Sequence, residues 1–288
     1  MTARGVVVAG GALGTNQLLA NCRHSGALPR ISNALGELVR TNSESIQAVT
    51  APDDERDFSR SVAITSSIYP DPDTHIEVVT YGEGGDAMIG TFTTMTGPGT
   101  KLTRPLKWMF AMLRHPLQTL RLLVPFRWSR RTVILLVMQT VDAAMHLRPR
   151  RRLLGRGVRL QTEQDPDRPN PTYIPAAEQV TRWFAKRTGG IAQSALTESI
   201  RNTPTTAHIL GGAVIGADPE SGVVDASNRV FGYENLLVCD GSAIPANPGV
   251  NPSLTITAKA EHAMSLVPPK DGEEPRDLPS GARPAVAI

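Results

Sequence analysis

The chain has 288 residues, 40% of them hydrophobic and 20% charged, with a formal net charge of +3. That composition excludes global disorder, collagen and coiled coil, and the length admits one large domain or two smaller ones. Two cysteines, Cys22 and Cys239, cannot build a disulfide framework or a four-thiolate zinc site, and a 5% aromatic content disfavours a base- or sugar-stacking surface.

The apolar run over residues 5–9 enters the glycine turn Gly10-Gly11-Ala12-Leu13-Gly14, which predicts a strand, and Thr15 is the expected N-cap of a helix over 16–22. A chain that opens inside a strand reads as truncated. No signal-peptide pattern is visible, and no run reaches the roughly 18 apolar residues of a spanning helix. The expectation is a cytoplasmic protein with reduced thiols.

Residues 61–69 and 75–81 read as a hairpin-like strand pair, bounded by Pro70-Asp71-Pro72-Asp73 and by Gly82-Glu83-Gly84-Gly85. A third strand is expected over 87–95. Two helices are expected over 105–128, broken near Pro116 and Pro125. Residues 132–146 are β-branched and apolar, and their periodicity leaves strand and buried helix both open. An arginine-rich run over 148–159 leads into another strand. Residues 175–188 read as a helix and 191–199 as a short element. Residues 235–239 form a strand ending at Asp240-Gly241, and a helix is expected from 253 to about 266. The tail 267–288, rich in proline and charge, reads as disordered.

Charge is concentrated in one place. Between Lys101 and Leu160 the only acidic residue is Asp142, against a long series of arginines. Within it, LKWMFAMLRHPLQTLRLLVPFRW interleaves leucines, methionines and aromatics with basic residues. Two readings stand here. One is a helix at a membrane interface, contacting lipid through 104–131. The other is a helix packed on its own domain with a solvated basic face. The mild overall charge gives no support for nucleic acid.

Three segments are able to carry chemistry. His208 precedes the glycine pair Gly211-Gly212, where backbone can approach a flat ligand and an imidazole can move a proton near neutral pH. Its alternative is a hydrogen-bonded histidine beside a turn. Asp240-Gly241 ends a buried strand and is followed by a loop, Asn251-Pro252-Ser253 and a helix; ligands in α/β folds bind at such strand ends. Asn251 serves there either as an N-cap or as a donor to a ligand. Gly11 and Gly14 lie in a strand–turn–helix that is like a phosphate loop without the G-x-G-x-x-G spacing. Gly82–Ala87 meets the looser G-x-G-x-x-A form but precedes a strand-like segment, so a turn is expected. Metalloprotease, zinc, α/β-hydrolase and P-loop motifs are absent from the sequence.

In this order, GGALGTNQLL, HILGGAVIG and NLLVCDGSAIPANPGVNPSLTITAKAEH resemble the C-terminal half of a glucose–methanol–choline (GMC) oxidoreductase, over about residues 1–266. The last block and HIEVVTYGEGGDAM are similar to its bacterial cholesterol-oxidase branch. The resemblance implies an α/β (α+β) fold. A remnant of an FAD-binding domain, over 1–40 and 226–266, joins a mixed or antiparallel-sheet substrate domain over 41–225. The substrate domain carries a basic amphipathic insertion over 101–160. The family's N-terminal dinucleotide fingerprint is absent from this chain.

The resemblance implies FAD as cofactor, held near Gly11, Gly14, Asp240, Gly241, Asn251, Pro252 and Ser253. It implies catalytic roles for His208, which orients a substrate hydroxyl, for Asn251 beside it, and for Glu77, which moves a steroid double bond. The implied reaction oxidises the 3β-hydroxyl of a sterol, with oxygen reduced to hydrogen peroxide. A GMC dehydrogenase of another bulky alcohol and an inactive lipid-binding truncation are the alternatives. No metal site is expected.

Overall fold

The computed structural model describes residues 3–152 and 155–269. In chain order its first elements are β1 (Val6–Val8), α1 (Gly11–His24), β2 (Arg40–Thr41), β3 (Ser45–Thr50), β4 (Ile64–Asp71), β5 (Thr74–Val79) and β6 (Phe92–Thr94). Then come α2 (Thr103–Arg114), α3 (Pro116–Leu122), α4 (Trp128–Arg131), β7 (Thr132–Gln139), β8 (Met145–Arg151) and β9 (Val158–Gln164). The last are α5 (Pro175–Thr188), β10 (Ile191–Ala195), α6 (Leu196–Arg201), β11 (Ile209–Leu210), β12 (Leu236–Val238) and α7 (Ser253–Ser265). The fold is mixed α/β with largely antiparallel pairing.

The chain packs around several apolar clusters. In one, the short parallel pair β1–β12 lies beside α1, and Val8, Leu19, Ile31, Val223, Val224 and Val238 are buried together. The others flank a six-stranded sheet in the order β4-β5-β7-β3-β10-β6, antiparallel throughout. One face of this sheet packs Ile76, Leu135 and Val137 against α5 through Ala177. The opposite face packs Ala48, Phe92 and Ile134 against Trp128.

Strand β7 settles the ambiguity of residues 132–146. Its first seven residues are buried. A β-branched run covered on both faces is a central strand, and eight residues are too few for a typical buried helix. Helix α5 forms as the sequence predicts: Pro175 occupies its first turn, and Gly189 ends it at φ +67.

Several boundaries differ from expectation. Helix α1 starts at Gly11, with Gly10 as its cap, so Thr15 lies one turn inside. The Thr15 hydroxyl accepts from the Gly10 amide at 3.0 Å and donates to Asp240, a tertiary role that removes it from capping. Residues 87–95 are only partly strand. Gly84, at φ +94, turns the chain into a 3-10 segment over Gly85–Thr91, and β6 begins at Phe92. That segment also confirms Gly82–Ala87 as a turn that opens no α-helix. The arginine-rich run is a hairpin, β8 on β9, with Arg150 paired to Glu163 at 3.0 Å.

Cys22 and Cys239 are half-buried free thiols. Among the described residues no helix is long and apolar enough to cross a membrane, and no cluster of metal-ligating side chains occurs. The proposed disordered tail falls, beyond residue 269, outside the described residues.

Candidate active site

Strand alternation assigns the first side chains. Along β5, His75, Glu77 and Val79 point to the same face, while Ile76 packs against α5 on the other. Glu77 is 6% exposed and lies opposite Leu136 of β7. A carboxylate this buried needs a hydrogen-bonding partner. The partner is the Asn251 amide, whose Nδ2 lies 3.0 and 2.9 Å from the two Glu77 oxygens. Asn251 therefore spends its side chain on Glu77 and does not cap α7, whose N-terminus has no side-chain cap.

The loop before α7 is held by the far end of β7. Asn247 donates to the carbonyls of Gln139 and Val141 at 3.0 and 3.1 Å. Gly249, at φ +67, lies so close to Thr140 that a Cβ would collide with its methyl group. These contacts fix Asn251 over the sheet.

Pairing of β2 with β11 sets Ile209 opposite Thr41, so His208 follows on beside Asn42. The His208 ring donates Nδ1–H to Glu44 Oε1 at 2.7 Å. Glu44 is buried, and its Oε2 accepts the Ala207 amide. Asn42 Nδ2 also lies 3.3 Å from His208 Nδ1, but a proton shared with the carboxylate leaves that nitrogen no lone pair to accept. This tautomer leaves Nε2 as an acceptor with no partner among the described residues. An imidazole oriented by a carboxylate through Nδ1 and free at Nε2 suits hydroxyl binding and proton transfer.

Asn42 joins the two pairs. It donates to the Val250 carbonyl at 3.0 Å and accepts the Gly249 amide at 3.2 Å, while remaining beside His208. Ser43 sits at φ +47, an uncommon conformation for serine, between β2 and β3. His75 is 6% exposed, stacks on Tyr69, and lies 3.8 Å from Glu77; neither of its ring nitrogens has a hydrogen-bond partner.

An apolar cavity of about 430 Å³ occupies the same sheet face. Val79 and Leu136, which line it, flank Glu77 in the register, and Ala207, also in its wall, adjoins His208. The cavity is thus lined by chain neighbours of both polar pairs and by neither pair itself. Its volume falls in the ~300–1,000 Å³ range of small-molecule sites.

Across β3 from this cavity, Glu198 of α6 is buried among the Ser45 hydroxyl, the Ile46 amide and the Gln47 amide at 2.8, 3.1 and 3.1 Å. Burial raises its pKa to about 7, against the opposing pull of those donors and of Arg104.

Residues 129–260 match the family model described as GMC oxidoreductase, C-terminal. The chain is 48% identical over 287 residues to a cholesterol oxidase of Mycobacterium tuberculosis, covering 97% of this chain and 49% of that protein. It is 45% identical over 267 residues to a cholesterol oxidase of Acinetobacter baumannii, covering 93% and 48% respectively. Residues 129–260 of this chain carry the GMC oxidoreductase match. The chain spans about half the length of the curated relatives it matches. A solved pyridoxine 4-oxidase from Mesorbium loti superposes with a TM-score of 0.49 at 16% identity, covering 92% of this chain and 52% of that one.

The remaining residues flagged for a GMC cofactor divide into two groups. Gly11, at φ +70, and Gly14 face open space, with no atom within 4 Å of an added Cβ. They lie in the first turn of α1, where the Gly11 amide is already taken by Asp240, and Ser253 opens α7 with a first-turn amide that has no helical acceptor. Asp240, Gly241 and Pro252 turn inward. Asp240 Oδ2 accepts the Gly11 amide at 2.9 Å and the Thr15 hydroxyl at 2.5 Å, and its Oδ1 accepts the Ser242 amide at 2.8 Å. Gly241 lies against Leu210 and Ile256, and Pro252 is buried. The first group leaves open space beside the start of α1, and the second packs beneath it.

Asn42, Glu44 and His75 were not visible as site residues. Thr41–Ser45 is an unbroken polar run, and nothing local marks one member as a histidine partner 164 residues away.

Proposed function

We propose that this chain forms the substrate-holding part of an FAD-dependent oxidoreductase that oxidises the 3β-hydroxyl of a sterol. The observation that carries this reading is the apolar cavity on the face of Glu77, with His208 adjoining its wall. A rigid hydrocarbon body suits such a cavity, and its hydroxyl end would meet the polar cluster. The names of the two similar proteins above support the same substrate class.

In this reading His208, held by Glu44, would accept the hydroxyl proton at Nε2. Asn251 would hold Glu77 and the loop before α7 in register. Glu77, facing apolar walls, would carry a proton between ring carbons and so move the steroid double bond. Gly11 and Gly14, with no side chain in the way, would let the flavin approach the start of α1, and the Ser253 amide would face it from α7. When bound, the flavin supplies the hydride acceptor, and oxygen is the proposed terminal oxidant, giving hydrogen peroxide. Because a sterol resides in lipid, contact of residues 104–131 with a membrane belongs to the same reading.

The test begins with the visible spectrum of the purified chain after addition and removal of excess FAD. Steroid-dependent peroxide release is then measured in this chain and in a polypeptide carrying the remaining half of the relatives' length. A flavin band with peroxide release is the expected result. Flavin with dye reduction but no peroxide would replace the oxidase by a dehydrogenase. A flavin-loaded polypeptide inert toward steroids with every acceptor would overturn the sterol reading.

A further inference from the structure

The most exposed apolar surface lies on α2, α3 and the segment after them. Surface helices of water-soluble proteins turn their apolar stripe inward. Helix α2 does the reverse. Its inner side is anchored by polar bonds: buried Arg104 donates to the Thr172 carbonyl and to Asn202 Oδ1 at 2.6 and 3.0 Å, and Trp108 Nε1 donates to Thr93 at 2.8 Å. Its outer side carries Leu106, Phe110 and Leu113 at helical spacing, and beyond the non-helical His115 the exposed Leu117 and Leu120 of α3 extend the apolar surface. Phe110, Leu113 and Leu117 are 64%, 73% and 72% exposed. A contiguous apolar face of this extent marks an interaction site.

Charge identifies the partner. No acidic residue occurs between Lys101 and Arg131. Arg127 and Arg130 are taken up by Asp54 and Asp57, but Arg114 and Arg121 are exposed and have no acidic partner among the described residues. A second copy of this chain would bring like charges together. An aqueous polyanion would leave the leucines in water. A lipid leaflet with anionic headgroups satisfies both, taking the leucines at the acyl boundary and the arginines at phosphates.

We propose that α2 and α3 form an interfacial anchor that docks this chain on an anionic lipid surface. The anchor is coupled to the cavity: α2 packs on α6 and β6, which contribute Leu196 and Phe92 to the cavity wall. The biological purpose rests on the sterol reading, since docking would bring the cavity to lipid-dissolved substrate. The docking itself does not.

Flotation of the full chain with sterol-free vesicles separates the two. Vesicles of phosphatidylcholine alone are compared with vesicles that also contain phosphatidylglycerol. The expected result is strong binding to the mixed vesicles, weak binding to the neutral ones, and weakening by salt. Leu113→Glu with Leu117→Glu should abolish binding. Arg114→Gln with Arg121→Gln should weaken binding to anionic vesicles by roughly 30-fold, since each cation near such a leaflet contributes about 5-fold. Val62→Glu, at a position 71% exposed outside these helices, should leave binding unchanged. All the substituted side chains are exposed, and thermal unfolding of each variant checks that the fold is kept.

Equal flotation of wild type and the Leu113/Leu117 variant would overturn the proposal. So would absence of binding to anionic vesicles, or self-association abolished by that same variant, which would assign the face to a second copy. Vesicle binding without steroid oxidation in the flavin-loaded polypeptide would leave the anchor standing and remove the sterol reading.

Discussion

Asn42 is fully buried, and its amide meets two separate parts of the chain: His208 and the Gly249-Val250 pair. Its neighbour Glu44 holds the imidazole in the orientation that frees Nε2. Glu44→Gln preserves size but removes the charge, leaving an amide that can donate to Nδ1 and favour the wrong tautomer. In the flavin-loaded, steroid-oxidising polypeptide, this change is expected to lower kcat by about 10²-fold or more. His208→Asn should cost a similar amount, and the double variant little more than either alone, because the two act as a unit. Steady-state kinetics of the three variants checks this; additive losses would show that Glu44 does not act through His208.

Helix α6 meets strand β3 through a buried acid, and that contact carries a pH signature. Burial raises the pKa of Glu198 to about 7 in the folded chain, against an ordinary glutamate value of 4.5. Between those limits the folded state binds more protons than the unfolded state, so stability falls as pH rises. The contribution is fully present below about pH 4.5 and is lost as pH rises through about 7. Glu198→Gln keeps a hydrogen-bonding side chain without the titration. Across this window, urea midpoints of wild type should drop relative to the variant by the equivalent of roughly 2–4 kcal/mol. A constant difference between the two proteins from pH 4.5 to 7 would remove Glu198 as the group responsible.

At the scale of the whole molecule, the β1–β12 pair and α1 show apolar side chains to solvent: Val6, Val7, Leu13 and Leu18 are each about half exposed. The far side of β12 is bridged by Arg229, but the outer edge of β1 pairs with no strand among the described residues, and an open edge with an apolar face is a template for pairing between chains. The isolated 288-residue chain is expected to self-associate as its concentration rises. Val7→Lys should shift that onset to higher concentration without changing the thermal midpoint greatly. Light scattering over a dilution series reads both. Scattering that is independent of concentration and of the substitution would remove this edge as a self-association surface.

Local chemistry wrote the elements. Pro175 and Gly189 bracket α5, Pro116 divides α2 from α3, and Pro72-Asp73 turns β4 into β5, each because a backbone constraint acts within a few residues. The same local order, through its resemblance to a known family, singled out His208, Asn251 and Glu77. What the sequence did not contain was the meaning of their surroundings. Thr15 reads as a cap until Asp240, 225 residues away, claims its hydroxyl. Asn251 reads as a cap until Glu77 engages its amide. Nothing in the sequence marks Glu44 and Asn42 until β2 pairs with β11 and sets them beside His208. The apolar stripe of α2 has the same spacing whether it faces the core or the solvent; the polar anchors at Arg104 and Trp108 decide that it faces out. Sequence determines what a segment can do within its own few turns. Partners fixed by strand register and burial across more than a hundred residues are decided only when the chain has folded.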